Sequence, residues 1–117
     1  MTISEFVNRY NLHDSFIEHV EYDEQSKEVI LRIHCALWMQ QDYIDGTPET
    51  GILTVTFRGV TSYSCNTDEP DGEFVGILRT TVNEDNTFEM VLLDEATNEI
   101  YEMRIAADDI DAVVDIP

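Results

Sequence analysis

Three consecutive residues of types used in nucleophilic catalysis, His13, Asp14 and Ser15, follow the first apolar stretch of the chain. A nucleophile, its base and the group that orients the base must converge in space, and three consecutive side chains cannot do so. Short polar side chains of this kind more often bond their own backbone at a corner between two elements. The triplet therefore predicts a structural corner, and no catalytic residue is assigned to it.

The histidines and cysteines lack the spacing of a metal site. A structural zinc needs four ligands, usually from closely spaced pairs, and no such pair occurs. His19 and His34 could approach each other across a hairpin, but two histidines hold zinc poorly. The acidic run at 68–73 fails the register of a calcium-binding EF-hand loop and favours a solvated turn. We expect no metal and no cofactor, and we expect Cys35 and Cys65 to be free thiols.

Other catalytic motifs are absent from the sequence. It has no Gly-rich phosphate loop, no Gly-x-Ser-x-Gly and no His-Glu-x-x-His. Carboxylates are so numerous that no pair of them can be singled out for acid and base chemistry. The sequence therefore favours a protein that is not an enzyme.

The chain is strongly acidic, with 25 Asp and Glu against 6 Lys and Arg and a formal net charge of -19 in 117 residues. Such a charge disfavours binding to nucleic acid or to anionic lipid. A hydrophobic fraction of 43% is that of a folded chain, so we expect one domain over residues 1–117. No apolar run is long enough for a signal peptide or a membrane span, which predicts a cytoplasmic protein.

The acids are concentrated late in the chain. From residue 84 onward, eleven Asp and Glu are accompanied by a single basic residue, Arg104. If these carboxylates share a surface, they would attract a basic protein quickly and with strong salt dependence. The alternative is an acidic face that only meets water. The residues assigned to partner binding are Glu84, Asp85, Asp94, Glu95, Glu99 and Glu102.

A continuous strand at 29–38 is predicted to lie at the centre of the sheet, with one apolar face and one mixed face. The mixed face carries Arg32, His34 and Trp38, and with Tyr43 from the following loop it could line the mouth of a small-molecule-binding or enzymatic barrel. Exposed apolar groups on that face, Ile17 and Ile30 together with Trp38, would instead suit a homodimer. Both alternatives remain open beside the binding of a basic protein.

The other elements are predicted from periodicity and turn signals. An amphipathic helix is expected over residues 2–10, with Thr2 and Glu5 as a capping box. A bulge near Glu18 would explain the broken alternation of the first strand. The remaining strands are expected at 52–60, 61–65, 74–82, 87–93 and 99–106, and the tail at 107–117 fits either a helix or a strand. The fold class is mainly β, an antiparallel meander of six or seven strands forming a sandwich or half-open barrel.

Four parts of the sequence resemble a group of small bacterial proteins with a Leu-His-Asp-Ser opening: the segment Leu12-His13-Asp14-Ser15, the residues Ile17 and Val20, the alternating strand from Val29, and the later run from Leu53 to Val60. Some members of this group resemble immunity proteins of polymorphic toxin systems. The resemblance covers roughly the first half of the chain. It implies a β-rich cytoplasmic protein that binds a partner, such as a basic toxin, and it carries over no catalytic residue.

Overall fold

The computed structural model describes residues 1–41, 43–67, 70 and 75–115. In these residues it has one α-helix, one short 3₁₀ turn and eight strands. Their bounds are α1 Ile3–Arg9, β1 Phe16–Asp23, β2 Glu28–Ala36, the 3₁₀ turn Leu37–Met39, β3 Thr50–Arg58, β4 Ser62–Cys65, β5 Val75–Val82, β6 Phe88–Asp94, β7 Glu99–Ala106 and β8 Asp109–Asp115. The prediction of a mainly antiparallel β protein with one helix near its start is confirmed.

The helix α1 begins at the predicted capping box. The Glu5 N–H donates to Thr2 Oγ1 at 3.0 Å, and the Thr2 N–H donates to Glu5 Oε1 at 3.2 Å. These bonds satisfy two of the amides that a helix start leaves free. Seven residues cannot form a stable helix alone in water, so the burial of Ile3 and Phe6 in the core holds α1 in place. No helix in the described part of the chain has the length and apolarity to span a membrane.

All eight strands belong to one antiparallel sheet, in the order β4-β7-β6-β5-β1-β2-β3-β8. Two meanders, β1-β2-β3 and β5-β6-β7, make up its centre, and in the described residues they are joined through the pair of Phe16 with Gly76. The expectation of one meander is wrong, because β4 pairs with β7 and β8 pairs with β3. The expected count of six or seven strands is too low, because the tail contributes β8. Among the described residues the ladder ends at β4 and β8, so the sheet is not closed.

Gly59 ends β3 and explains why β4 does not fold back beside it. Its φ is +65°, and a Cβ there would collide with the Asp108 carboxylate. The chain then passes the turn between β1 and β2, where the Val60 N–H donates to Lys27 O at 2.9 Å. The return crossing is fixed in the same place by the Asp108 N–H, which donates to Arg58 O at 2.9 Å. The two crossings deliver β4 and β8 to opposite edges.

The sheet curls so that its apolar face surrounds the core. The ring of Phe57 on β3 lies 5.1 Å from that of Phe88 on β6, although these strands are far apart in the sheet order. Phe6 of α1 packs 6.1 Å from Phe88. Tyr22 and Tyr63, on β1 and β4, approach to 5.0 Å. These ring contacts and the aliphatic groups around them bury the inner face, while the outer face meets solvent.

The predicted bulge in β1 is confirmed, since the register shifts between Ile17 and His19. The side chain of Ile17, however, does not lie on the outer face, where we expected it. Ile17 is fully buried on the inner face, and Phe16 takes the outer position beside His34. The extra residue, Glu18, reverses the alternation, so that Val20 returns to the inner face. Ile17 is therefore not available for the dimer surface considered above.

Candidate functional site

The corner formed by the Leu-His-Asp-Ser segment is structural, as predicted. Leu12 and Ser15 are fully buried, and Asp14 adopts a left-handed φ of 66°, which Asp tolerates better than most residues. Ser15 Oγ accepts the Ala36 N–H at 3.0 Å, and its carbonyl accepts the Ile77 N–H at 2.8 Å. Ser15 thus links β1, β2 and β5 at the point where the two meanders join, and its hydroxyl is fully buried.

A buried amide that sequence reasoning missed, that of Gln40, supports the same corner. Gln40 Oε1 accepts the Asn11 N–H at 2.9 Å, and its Nε2 donates to Asn11 O at 2.7 Å and to Ala36 O at 2.9 Å. Cys35 lies beside this amide, with Sγ 3.7 Å from Nε2. Burial raises the pKa of the Cys35 thiol, which makes it a poor nucleophile. The sequence offers one signal that could have identified Gln40: it lies between two strand-like runs and belongs to no apolar period of its own.

Cys35 and Cys65 are free, as expected, with Cys35 buried and Cys65 half-buried. His19 pairs with Arg32 across β1 and β2, so His19 and His34 are diagonal neighbours and not direct ones. No group of three or more potential metal ligands comes together among the residues that the structure describes. The acidic run at 68–73, which we considered as a calcium loop, lies outside the described residues.

The predicted ligand face is not formed as expected. Arg32 and His34 do share the outer face of β2, but β2 ends at Ala36, where the chain enters the 3₁₀ turn. Trp38 falls in the 3₁₀ turn and is 49% exposed. Tyr43 lines a cavity of about 300 Å³ with residues of α1, the 3₁₀ turn and β8, and this cavity includes none of Arg32, His34 and Trp38. The four residues therefore do not line one mouth.

The six carboxylates assigned to partner binding are divided among three places. Glu84 and Asp85 lie in the turn before β6, whereas Asp94, Glu95 and Glu99 lie in or beside the turn after it. A strand of seven residues separates the two turns by about 20 Å.

Glu102 lies between these two turns, on the outer face of β7. It borders a shallow depression together with Arg79 and Arg104. Two arginines therefore border the same depression as Glu102, and the surface between the two turns is not continuously negative.

The turn between β6 and β7 holds its carboxylates in fixed positions. Asp94 Oδ1 accepts the Ala96 N–H at 3.0 Å, and Asp94 O accepts the Asn98 N–H at 2.7 Å. The Tyr101 hydroxyl lies 3.2 Å from Glu99 Oε2 and 3.4 Å from Asp94 Oδ2. Desolvation and these two carboxylates raise the pKa of Tyr101, which keeps its proton available for donation.

A fourth carboxylate, that of Asp14, joins this end of the molecule. Asp14 and Glu95 border the same groove, whose described lining residues include no Lys or Arg. Asp14 Oδ1 lies 3.3 Å from His13 Nδ1, whereas Glu95 has no hydrogen-bond or ion-pair partner among the described residues. We call Asp14, Asp94, Glu95 and Glu99 the acidic end. Three of the six predicted residues belong to it, and Asp14 was assigned on sequence only to the corner.

Cations neutralise carboxylates elsewhere on the outer face. Arg104 Nε lies 2.9 Å from Glu89 Oε1, and Arg58 lies between 3.7 and 3.9 Å from Glu28, Asp109 and Asp111. The acidic end thus differs from these regions because the described lining of its groove contains no Lys or Arg, and not only because the chain as a whole is acidic.

Comparisons of the chain with protein-family models, with curated proteins and with solved structures found no match.

Proposed function

We propose that this chain is a non-catalytic binding protein whose acidic end engages a basic surface of another protein. The observation that carries the proposal is that Asp14 and Glu95, from two turns, border one groove whose described lining has no Lys or Arg, while Asp94 and Glu99 lie in or beside the turn that carries Glu95. Surface acids of a soluble protein are commonly interspersed with cations, as they are around Arg58 and Arg104 here.

The rigidity of these turns favours binding. Asp94 is fixed by two backbone bonds of its own turn, and Glu99 accepts a bond from Tyr101. Side chains that are already ordered lose less entropy when a partner arrives. Their negative potential accelerates the encounter with a basic protein and suppresses acidic competitors.

The resemblance of the Leu12–Ser15 segment to immunity proteins suggests the class of partner. A toxin nuclease holds the phosphate backbone with Lys and Arg, so its substrate surface is basic. Carboxylates placed against that surface would occupy it in place of phosphates. In this form of the proposal the protein inhibits by covering the surface and transforms no substrate.

The test measures association with two well-characterised basic proteins, ribonuclease A and lysozyme, at several salt concentrations. The variant Glu95→Gln with Glu99→Gln should associate about threefold to tenfold more slowly at low salt and show a flatter salt dependence. The matched control, Glu21→Gln with Glu24→Gln, removes the same charge from β1 and its turn. It should slow association by less than about twofold.

A third variant, Glu84→Gln with Asp85→Asn, tests the other predicted turn. Equal slowing of association in all three variants would mean that only the net charge matters, and it would overturn the acidic end as the binding site. Unchanged association in every variant would overturn the proposal of a basic partner altogether.

A second candidate is supported by the cavity that Tyr43 lines. Its volume of about 300 Å³ and its mostly apolar walls, which include Tyr10 and Leu37, lie at the lower limit of small-molecule sites. Titration with indole, monitored by NMR, should shift the signals of these residues and be abolished by Ile44→Asp. No saturable shift would remove this candidate.

A further inference from the structure

The groove beside the acidic end has an apolar floor. Phe16, Gly76, Leu93 and Ile100 are consecutive partners across β1, β5, β6 and β7, and so they form one row on the outer face. Leu78, at the bulge of β5, is 37% exposed and also lines the groove. The row is unusual for the outer face of a chain with 25 carboxylates, because apolar groups continue across four strands.

Gly76 lies in the floor of this groove and is covered by the Phe16 ring. A Cβ built at Gly76 would be 3.6 Å from Phe16 Cε1, which is ordinary contact, and the backbone is not in the left-handed region. The strand therefore does not require glycine, and a glycine inside a strand normally weakens it. The absence of a side chain at Gly76 lets the Phe16 ring pack close to the strand backbone, where it forms part of the groove floor.

The rim of the groove is negative. Asp14 and Glu95 stand at its edge, above the floor formed by Phe16 and Leu93. Asp14 is partly engaged by His13, while Glu95 has no polar partner in the described part of the chain. A groove with an apolar floor and a carboxylate rim is complementary to a side chain that is apolar along its stem and cationic at its tip.

The size of the groove suits a small occupant. Its volume of about 270 Å³ lies below that of ordinary small-molecule sites and suits one long side chain. A guanidinium group fits this chemistry better than an ammonium group. It is planar and weakly hydrated, it stacks on an aromatic ring such as Phe16, and it bonds a carboxylate with two parallel N–H donors.

We propose that the groove between Phe16, Gly76 and Leu93 receives an arginine side chain of the basic partner, with its guanidinium group bound by Glu95 and Asp14. This inference rests on the proposed function and specifies which residue of the partner enters the acidic end. The carboxylates would then attract the partner, and the groove would select the residue that anchors it.

The direct test is an NMR titration of the isotopically labelled protein with Nα-acetyl-arginine methylamide. Saturable shifts are expected at the amides of Phe16, Gly76, Leu93 and Glu95. The lysine and norleucine analogues, and methylguanidinium alone, should bind at least about fivefold more weakly, because each lacks one part of the match. Equal binding of any of these probes, or no saturable shift with the arginine probe, would overturn the proposal.

Substitutions localise the effect. Gly76→Val adds methyl groups that must displace the Phe16 ring from the groove floor, and it should weaken arginine binding at least about fivefold. The conservative pair Asp14→Asn with Glu95→Gln should weaken it similarly, since Asn also tolerates the left-handed conformation at position 14.

The matched control is Thr81→Val, an apolar change at an exposed outer position of the same strand. It should not alter arginine binding, and an equal loss in this variant would overturn the location. The inference and the proposed function fail separately. If the arginine probe does not bind but the Glu95 and Glu99 variant still slows association with basic proteins, the groove is wrong and the acidic end stands.

Discussion

Ser15 holds three strands together with one small side chain, because its hydroxyl accepts the Ala36 N–H and its carbonyl accepts the Ile77 N–H. Ser15→Ala leaves a buried amide without a partner, so the free energy of unfolding should fall by about 1–3 kcal/mol. Urea unfolding measures this change. The control Ser64→Ala, at an exposed position on β4, should stay within about 0.5 kcal/mol of the original protein.

The same variant separates structure from function. If Ser15 has only its structural role, the folded Ser15→Ala protein should associate with basic proteins at an unchanged rate. A loss of association without a loss of stability would contradict the assignment of this segment to the corner.

Gln40 offers a second test at the scale of single residues. Its Nε2 faces the carbonyl oxygens of Asn11 and Ala36, so Gln40→Glu would place a carboxylate oxygen against two acceptors. We expect a loss of about 3 kcal/mol near pH 7. Folding should raise the pKa of the introduced carboxyl group, and its protonation at lower pH supplies a donor again.

The loss at Gln40→Glu should therefore shrink as the pH falls, when compared at each pH with the original protein. The neighbouring and exposed Gln41→Glu serves as the control and should cost little at any pH. A penalty that does not depend on pH would contradict the proposed contact of the introduced carboxylate with the two carbonyls.

At the scale of elements, the turn between β1 and β2 depends on a carboxylate. Asp23 Oδ1 accepts the N–H groups of Gln25 and Ser26, and these bonds lower the pKa of Asp23. Because the pKa of Asp23 is lowered in the folded protein, its ionised side chain stabilises the fold at pH values above the ordinary pKa near 3.8. This stabilisation is lost as the pH falls through the pKa of the folded protein.

In Asp23→Asn the side-chain oxygen can still accept the two N–H bonds, but the side chain no longer titrates. The stability advantage of the original protein over this variant should be present near neutral pH and vanish as the pH falls below about 4. Thermal unfolding at a series of pH values gives both curves. Parallel curves across that range would contradict the role of the ionised Asp23.

Local patterns predicted most elements, and contacts between distant residues explain the errors. Strict alternation located β7 to the residue, and the capping box located the start of α1. The end of β2 was missed because the alternation of residues continues through Trp38, although the chain turns after Ala36 and its Leu37 N–H bonds Glu49 O. The tail could not be assigned, since its pairing with β3 follows from the crossing at Gly59 and not from its own periodicity.

The site was predictable in chemistry but not in shape. The late acids of the chain identified three members of the acidic end, because composition is visible in the sequence. Asp14 joins them only through the pairing of Phe16 with Gly76, which brings the start of β1 beside the turn after β6. Periodicity within a strand contains no information about which distant strand lies beside it.

At the scale of the whole molecule, a net charge of -19 is distributed unevenly. Carboxylates of β2 and β8 share Arg58, and Glu89 of β6 pairs with Arg104, whereas the acidic end has no such cation in the lining of its groove. Repulsion between carboxylates is therefore partly relieved where the strands carrying Arg58 and Arg104 pair with their neighbours. It is retained where we propose that a partner binds. A basic partner would supply the missing cations.

Arg58 allows this distribution to be tested. It lies within 3.9 Å of Glu28, Asp109 and Asp111, and it is about half exposed, so each pair alone is weak. Arg58→Met keeps an apolar stem but leaves three carboxylates of two strands without their shared cation. The free energy of unfolding should fall by about 1 kcal/mol at low salt, and by less at high salt because exposed charges are screened.

Urea unfolding at two salt concentrations measures the effect, with Arg104→Met as the comparison. Within the described residues Arg104 pairs with one carboxylate, so its replacement should cost less and depend less on salt. Equal costs at both salt concentrations would mean that Arg58 acts through packing. In that case the Arg58→Met variant would give no information about how charge is balanced between the strands and the acidic end.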